Sequence, residues 1–157
     1  MEKKLKLLDV EKAEKIILRK VKPLKGNEKI DIRDSFGRVL ISNLNSKRNQ
    51  PELDLSAMDG YAVRKRDLSS LPKKFELVGE IKAGDKISKA VKKNQTFRIF
   101  TGAPIPKGAN KVVIQENCLE VGKEVLIKRE NKETYIRKKS HDISKKFTLK
   151  APRLIST

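Results

Sequence analysis

Tryptophan is missing from this 157-residue chain, aromatic residues make up 4% of it, and there is a single cysteine and a single histidine. One cysteine, Cys118, cannot close an intrachain disulfide, which makes a reducing compartment the natural setting. Together with His141 it cannot complete a zinc site, and His141 has no cysteine or serine beside it that would suggest a nucleophilic triad. Long apolar runs are also lacking. The longest near the start is Ile16-Ile17-Leu18, too short for a signal-peptide core or a membrane span. These absences point to a cytoplasmic protein with no membrane partner.

What is abundant is charge. Charged residues reach 37%, apolar residues only 37%, and the formal net charge is +18. So little apolar material suits an extended shape or a piece of something larger, since ordinary domains carry about 45–50%. A basic chain raises nucleic acid as a partner, and an acidic membrane surface as another. Yet lysine outnumbers arginine 28 to 10, and the excess is spread as +7 over residues 1–50, +5 over 51–118 and +6 over 119–157. A nucleic-acid footprint is a patch or stripe, with arginine and aromatics clustered, and neither is visible. The sequence reads as a lysine-rich solvated surface with no specific nucleic-acid partner.

Along the chain, Asp9 is placed to cap a helix that presents Val10, Ala13, Ile16, Ile17 and Val21 at helical spacing, stopped by Pro23 and Gly26. A second helical stretch is expected from Asp34 to Leu44, with Phe36, Val39, Leu40 and Leu44 on one side. After Asn45 the pattern changes to short strand candidates at 61–64, 75–81, 96–100, 111–116, 125–128 and 134–137, separated by turn residues. The expected fold class is therefore α+β: a small helical domain (residues 1–45 with 141–157) and an inserted antiparallel, β-barrel-like domain (46–140), elongated overall. The stretch Arg153–Thr157 ends without a cap or a completed periodic element, which suggests a chain that continues.

Two loops could carry chemistry. Ser56-Ala57-Met58-Asp59-Gly60-Tyr61 gathers small residues around one carboxylate, with polar groups able to meet a polyoxygenated ligand or a hydrated Mg²⁺. Thr101-Gly102-Ala103-Pro104 follows a strand, and its backbone N–H groups and hydroxyl could hold an oxyanion. A third candidate is the basic run Arg137-Lys138-Lys139. Taken singly, each reads more readily as a turn or a solvated strand end.

In order, however, these segments resemble the N-terminal and linker region of the molybdopterin molybdenumtransferases, the MoeA and gephyrin E-domain family. The resemblance rests on Pro51-Glu-Leu-Asp-Leu-Ser-Ala-Met-Asp-Gly-Tyr-Ala-Val63, Val78-Gly-Glu-Ile-Lys-Ala-Gly84, Arg98-Ile-Phe-Thr-Gly-Ala-Pro-Ile-Pro-Lys-Gly-Ala109 with Val112-Val-Ile-Gln-Glu116, and Arg137-Lys-Lys-Ser-His-Asp142. It implies an enzyme that inserts molybdate into adenylylated molybdopterin with Mg²⁺ assistance, releasing AMP, as a homodimer downstream of a molybdopterin adenylyltransferase. It implies Asp59 and Thr101 as catalytic residues, with Asp59 an indirect Mg²⁺ contact, and Ser56, Gly60, Gly102, Arg137 and Lys138 as substrate contacts. It also implies that a third, pterin-binding domain and a fourth domain lie outside this chain, which alone should not catalyse insertion. Leu53 and Leu55 stand where the family has Phe and Asn, and Ser140 and His141 where it has Gly and an acidic residue. A non-catalytic dimerisation module working with a separate pterin-binding domain is the alternative.

Overall fold

The computed structural model describes residues 7–22, 24–86 and 90–156. The expected helix stop at Pro23 and the basic start at residues 1–6 lie outside these. In chain order the elements are helix α1 (Val10–Lys20) and strands β1 (Val39–Leu40), β2 (Leu44–Asn45), β3 (Leu55–Ser56), β4 (Gly60–Val63), β5 (Lys73–Ile81), β6 (Gln95–Ile99), β7 (Lys111–Ile114), β8 (Cys118–Val121), β9 (Glu124–Ile127), β10 (Ile136–Arg137), β11 (Thr148–Leu149) and β12 (Arg153–Leu154). They divide into two compact units, Met1–Ser42 with Ala151–Thr157, and Asn43–Lys150. None of the described helices is long and apolar enough to cross a membrane.

In the first unit Asp9 caps α1 as the sequence suggests, its carboxylate accepting from the N–H groups of Glu11 (3.0 Å) and Lys12 (3.3 Å). No residue of the helix is buried. With so little packing to hold it, the cap matters. Asp9→Ala is expected to cost about 1 kcal/mol of helix stability, read as a loss of helical circular dichroism. An unchanged spectrum would show that the helix is held by something other than its own ends.

The second expected helix is not formed. Only Ile32–Asp34 makes a turn of 3₁₀ helix, and Val39–Leu40 is extended as β1, paired antiparallel with β12. The backbone groups that a helix would satisfy locally are satisfied from the far end of the chain. Gly37 N–H donates to Ile155 O (2.9 Å), and Ile155 N–H donates to Arg38 O (2.9 Å). Gly37, at φ +74°, takes the left-handed conformation that breaks the helical run. Among the described residues the fold is thus mostly β with one α-helix, and the small helical domain of the α+β expectation is corrected accordingly.

The second unit is built on a curled, half-barrel sheet of six strands in the order β7-β4-β6-β5-β9-β8. Strand alternation sends its apolar side chains into two clusters. Ala62, Phe97, Ile99 and Val112 belong to one, and Tyr61, Val63, Phe75, Val113, Val125 and Ile127 to the other. All four residues of β4 are buried, because β4 has a strand on each side and a cluster on each face. The sheet is mixed, not antiparallel throughout: β5 and β6 run parallel, with a register shift between Leu77 and Glu80. Two-residue ladders, β2 with β11 and β3 with β10, hold the chain segments that enter and leave the sheet.

Candidate functional site

The loop between β3 and β4 and the loop after β6 meet edge to edge. Ser56 N–H donates to Ala103 O (2.8 Å), and Gly102 N–H returns a bond to Ser56 O (2.8 Å). Ala57 N–H is held by Tyr135 O (2.9 Å). This framework fixes Asp59 against Thr101. One carboxylate oxygen, Oδ1, accepts both the Thr101 N–H and the Thr101 hydroxyl, each at 2.8 Å. These two bonds, the N–H first, hold the Asp59 carboxyl below the usual carboxylate range, and the Arg98 charge adds to them. An ionised carboxylate at the surface with one oxygen so restrained presents its other oxygen, Oδ2, in a defined direction.

The remaining expected site residues fall into two groups. Ser56 is buried, and its hydroxyl donates to Met58 O (2.6 Å), so it shapes the Asp59 loop from within. Gly60 is buried at the start of β4, where the absence of a side chain is demanded by the backbone of β7. Gly102, at φ +81°, makes the turn that delivers Thr101. Arg137 and Lys138 stand on the other side of β3, since β10 pairs Arg137 with Leu55. Both already have anionic partners. Arg137 bonds Asp142, and Lys138 Nζ lies 2.7 Å from Asp54 Oδ2. Burial pushes the Asp54 carboxyl up, but Lys138 and the Lys139 N–H outweigh it and the net shift is down. Asp142 is held low by His141 and by Arg137.

Two residues of the site were not singled out from the sequence: Arg98 and Gln115. The Arg98 guanidinium lies over the rings of Tyr61 (5.0 Å) and Phe100 (5.3 Å) and donates to Gln115 Oε1. The Gln115 N–H donates to Asp59 O (3.2 Å). The signal was present, because Arg98 opens one quoted motif and Gln115 is its last residue but one, but an arginine alternating with apolar residues on a strand reads as a solvated face. Next to Arg98 runs a groove of about 550 Å³ lined by Tyr61, Leu77, Glu80, Glu120 and Lys123. Within it Tyr61 donates to Glu120 Oε2 (2.6 Å); burial and then this bond push the phenol up to about 12. Cys118, raised to about 12 by burial, is no nucleophile at neutral pH.

No group of three or more His, Cys, Asp or Glu suited to a metal ion occurs among the described residues. Asp59 offers a single carboxylate. One carboxylate would suit at most a Mg²⁺ ion that keeps most of its waters.

Residues 8–155 match the family described as MoeA N-terminal region (domain I and II). A molybdopterin molybdenumtransferase of Nostoc sp. is 39% identical over 104 residues, 64% of this chain and 24% of the relative. That of Bacillus subtilis is 37% identical over 93 residues, 57% of this chain and 22% of the relative. The chain therefore spans about a quarter of the length of these curated relatives. A crystal structure of a molybdopterin biosynthesis moeA protein from Pyrococcus horikoshii superposes with a TM-score of 0.82 at 27% identity, covering 94% of this chain and 40% of that one. With the match running through both units and all four motifs, the chain belongs to the MoeA N-terminal region family of molybdenum cofactor biosynthesis.

Proposed function

We propose that this chain forms one wall of the active site of a molybdopterin molybdenumtransferase, which inserts molybdate into adenylylated molybdopterin and releases AMP. The observation that carries the reading is the Asp59–Thr101 pair, two residues 42 positions apart locked together at the surface. In this reading the reacting partners are both anions, molybdate and the pyrophosphate link, and bringing them together requires compensation of their charge. A bound Mg²⁺ would supply that compensation. Asp59 would orient a hydrated Mg²⁺ through its second oxygen, and Thr101 would keep the carboxylate ionised and pointed. Gly102 lets the loop approach a ligand closely, while Ser56 and Gly60 set the loop's shape. Arg137 and Lys138 add positive potential from the next strand, moderated by Asp142 and Asp54. The pterin site itself, the homodimer and the preceding adenylyltransferase step belong to the same proposal and draw on parts of the enzyme outside this chain.

The test is a chimera in which this chain replaces the corresponding region of the Bacillus subtilis relative, supplied with adenylylated molybdopterin, molybdate and Mg²⁺. AMP release is expected from the chimera and not from the chain alone. Asp59→Ala in the chimera is expected to lower that release about ten- to hundredfold, the scale on which lost positioning is felt. Full activity in Asp59→Ala would remove Asp59 from the mechanism, and AMP release by the isolated chain would overturn the division of labour.

A further inference from the structure

We propose that Arg98 is a positioning residue for the Asp59–Thr101 pair, a clamp that joins the two loops; its effect on catalysis rests on the function proposed above. The pair is made by chain segments from different strand ends. Asp59 precedes β4, and Thr101 follows β6 by one intervening residue, Phe100. The loop framework ties the two segments together by backbone bonds at Ser56, Gly102 and Ala103. Arg98 adds side-chain contacts that touch both segments at once. Its planar cation covers Phe100, the residue before Thr101, and Tyr61, two residues after Asp59. Its N–H donates to the Gln115 side chain, whose own backbone N–H holds the Asp59 carbonyl at 3.2 Å.

Each link in this chain is individually modest, and the geometry is what makes them act together. A cation over an aromatic face is favourable only within about 6 Å of the ring, and Arg98 satisfies this for two rings simultaneously. Guanidinium is flat and lies on rings as lysine's compact ammonium does not. A lysine at 98 would therefore keep the charge and lose the clamp. Cross-strand pairing fixes the anchor point, since Tyr61 and Arg98 are direct partners in the β4–β6 ladder. The Arg98 Cα cannot shift without the sheet moving.

Two variants and two readouts test this. In this chain, hydrogen exchange of the Thr101 amide reports whether its bond to Asp59 is held, and the amides of β4 report whether the sheet is intact. Arg98→Met is expected to raise Thr101 exchange about tenfold, with β4 unchanged. Gln115→Leu, at an exposed position, is expected to do the same to a smaller degree, leaving the aromatic contacts in place. In the chimera, Arg98→Met should lower kcat and leave KM close to its starting value, because the residue acts through Asp59 and not on the substrate. Arg98→Lys should rescue little of either. Combined with Asp59→Ala, Arg98→Met should add almost nothing, whereas independent structural damage would multiply.

Unchanged Thr101 exchange in Arg98→Met overturns the clamp. If Arg98→Met also loosens β4, Gln115→Leu decides, and unchanged Thr101 exchange there overturns it as well. A rise in KM alone would make Arg98 a substrate contact and overturn the positioning role. Should Asp59→Ala prove fully active, the functional reading fails while the exchange results still judge the clamp.

Discussion

Gly60→Ala is expected to destabilise the β unit by about 3 kcal/mol or more, the upper end of what overpacking costs. A Cβ on Gly60 would lie 2.1 Å from Val113 O, 2.9 Å from Val113 C and 3.0 Å from Ile114 Cα. All three atoms are backbone, so no side-chain rotation relieves the clash. Relief requires β4 and β7 to separate along a ladder that pairs Gly60 with Ile114 and Val63 with Lys111. That separation would uncover Val112 and Val113, both fully buried. In a unit of this size the loss corresponds to a fall in melting temperature of roughly 10 °C or more, measured by thermal unfolding. A change under about 1 kcal/mol would show that the strands yield easily at this point, against the dense packing expected of a core. The result also bears on function. Loss of activity in a Gly60 variant reports a broken sheet first, and only a folded variant could speak about substrate contact.

How much of this was readable beforehand follows the range of the interactions involved. Asp9 and α1 were legible because a cap bonds N–H groups two and three residues away. The strands at 61–64, 75–81 and 96–100 were legible because alternation is local, and the structure realises each within a residue or two. Failure came where the partner is distant. Phe36, Val39, Leu40 and Leu44 have helical spacing, yet the backbone from Gly37 to Leu40 is claimed by Arg153, Leu154 and Ile155, and that of Leu44 by Leu149, over a hundred residues on. The parallel pairing of β5 with β6 left no local trace either, since direction depends on the path of the intervening 82–94 connection. The site divides in the same way. Asp59 and Thr101 were each visible as turn residues, and family resemblance set them side by side. Arg98 and Gln115 leave no such mark, because their contacts run across strands.

The acid limb of stability should be set in good part by Asp67, and Asp67→Ala is expected to cost about 3 kcal/mol at neutral pH. Asp67 is buried, with 6% of its surface exposed. It receives two bonds from the Arg64 guanidinium, at 2.9 and 2.8 Å, and one from the Asn94 N–H at 3.0 Å. Lys73 Nζ reaches its backbone carbonyl at 3.3 Å. Removing one partner of a buried pair typically costs about 3–5 kcal/mol, and the lower end applies because Arg64 keeps 16% of its side chain exposed to water. The Asn94 turn would lose its anchor at the same time. Asn94 sits at φ 58°, a conformation that most residues avoid, and the Asp67 carboxylate helps to hold it. The Arg64 bonds first, then the Asn94 N–H and the nearby Lys73 charge, carry the Asp67 pKa below its ordinary value against the opposing effect of burial. A carboxylate with a depressed folded pKa contributes stability that is complete above the unfolded value of about 4 and is lost as pH falls through the folded one. The stability gap between the parent chain and Asp67→Ala should therefore be widest near neutrality and shrink below about pH 4. Denaturant unfolding at neutral pH and at two acid points measures it. A gap that stayed constant with pH would mean that Asp67 stabilises by packing alone. A gap that widened in acid would reverse the sign and remove the Arg64–Asp67 pair as its source.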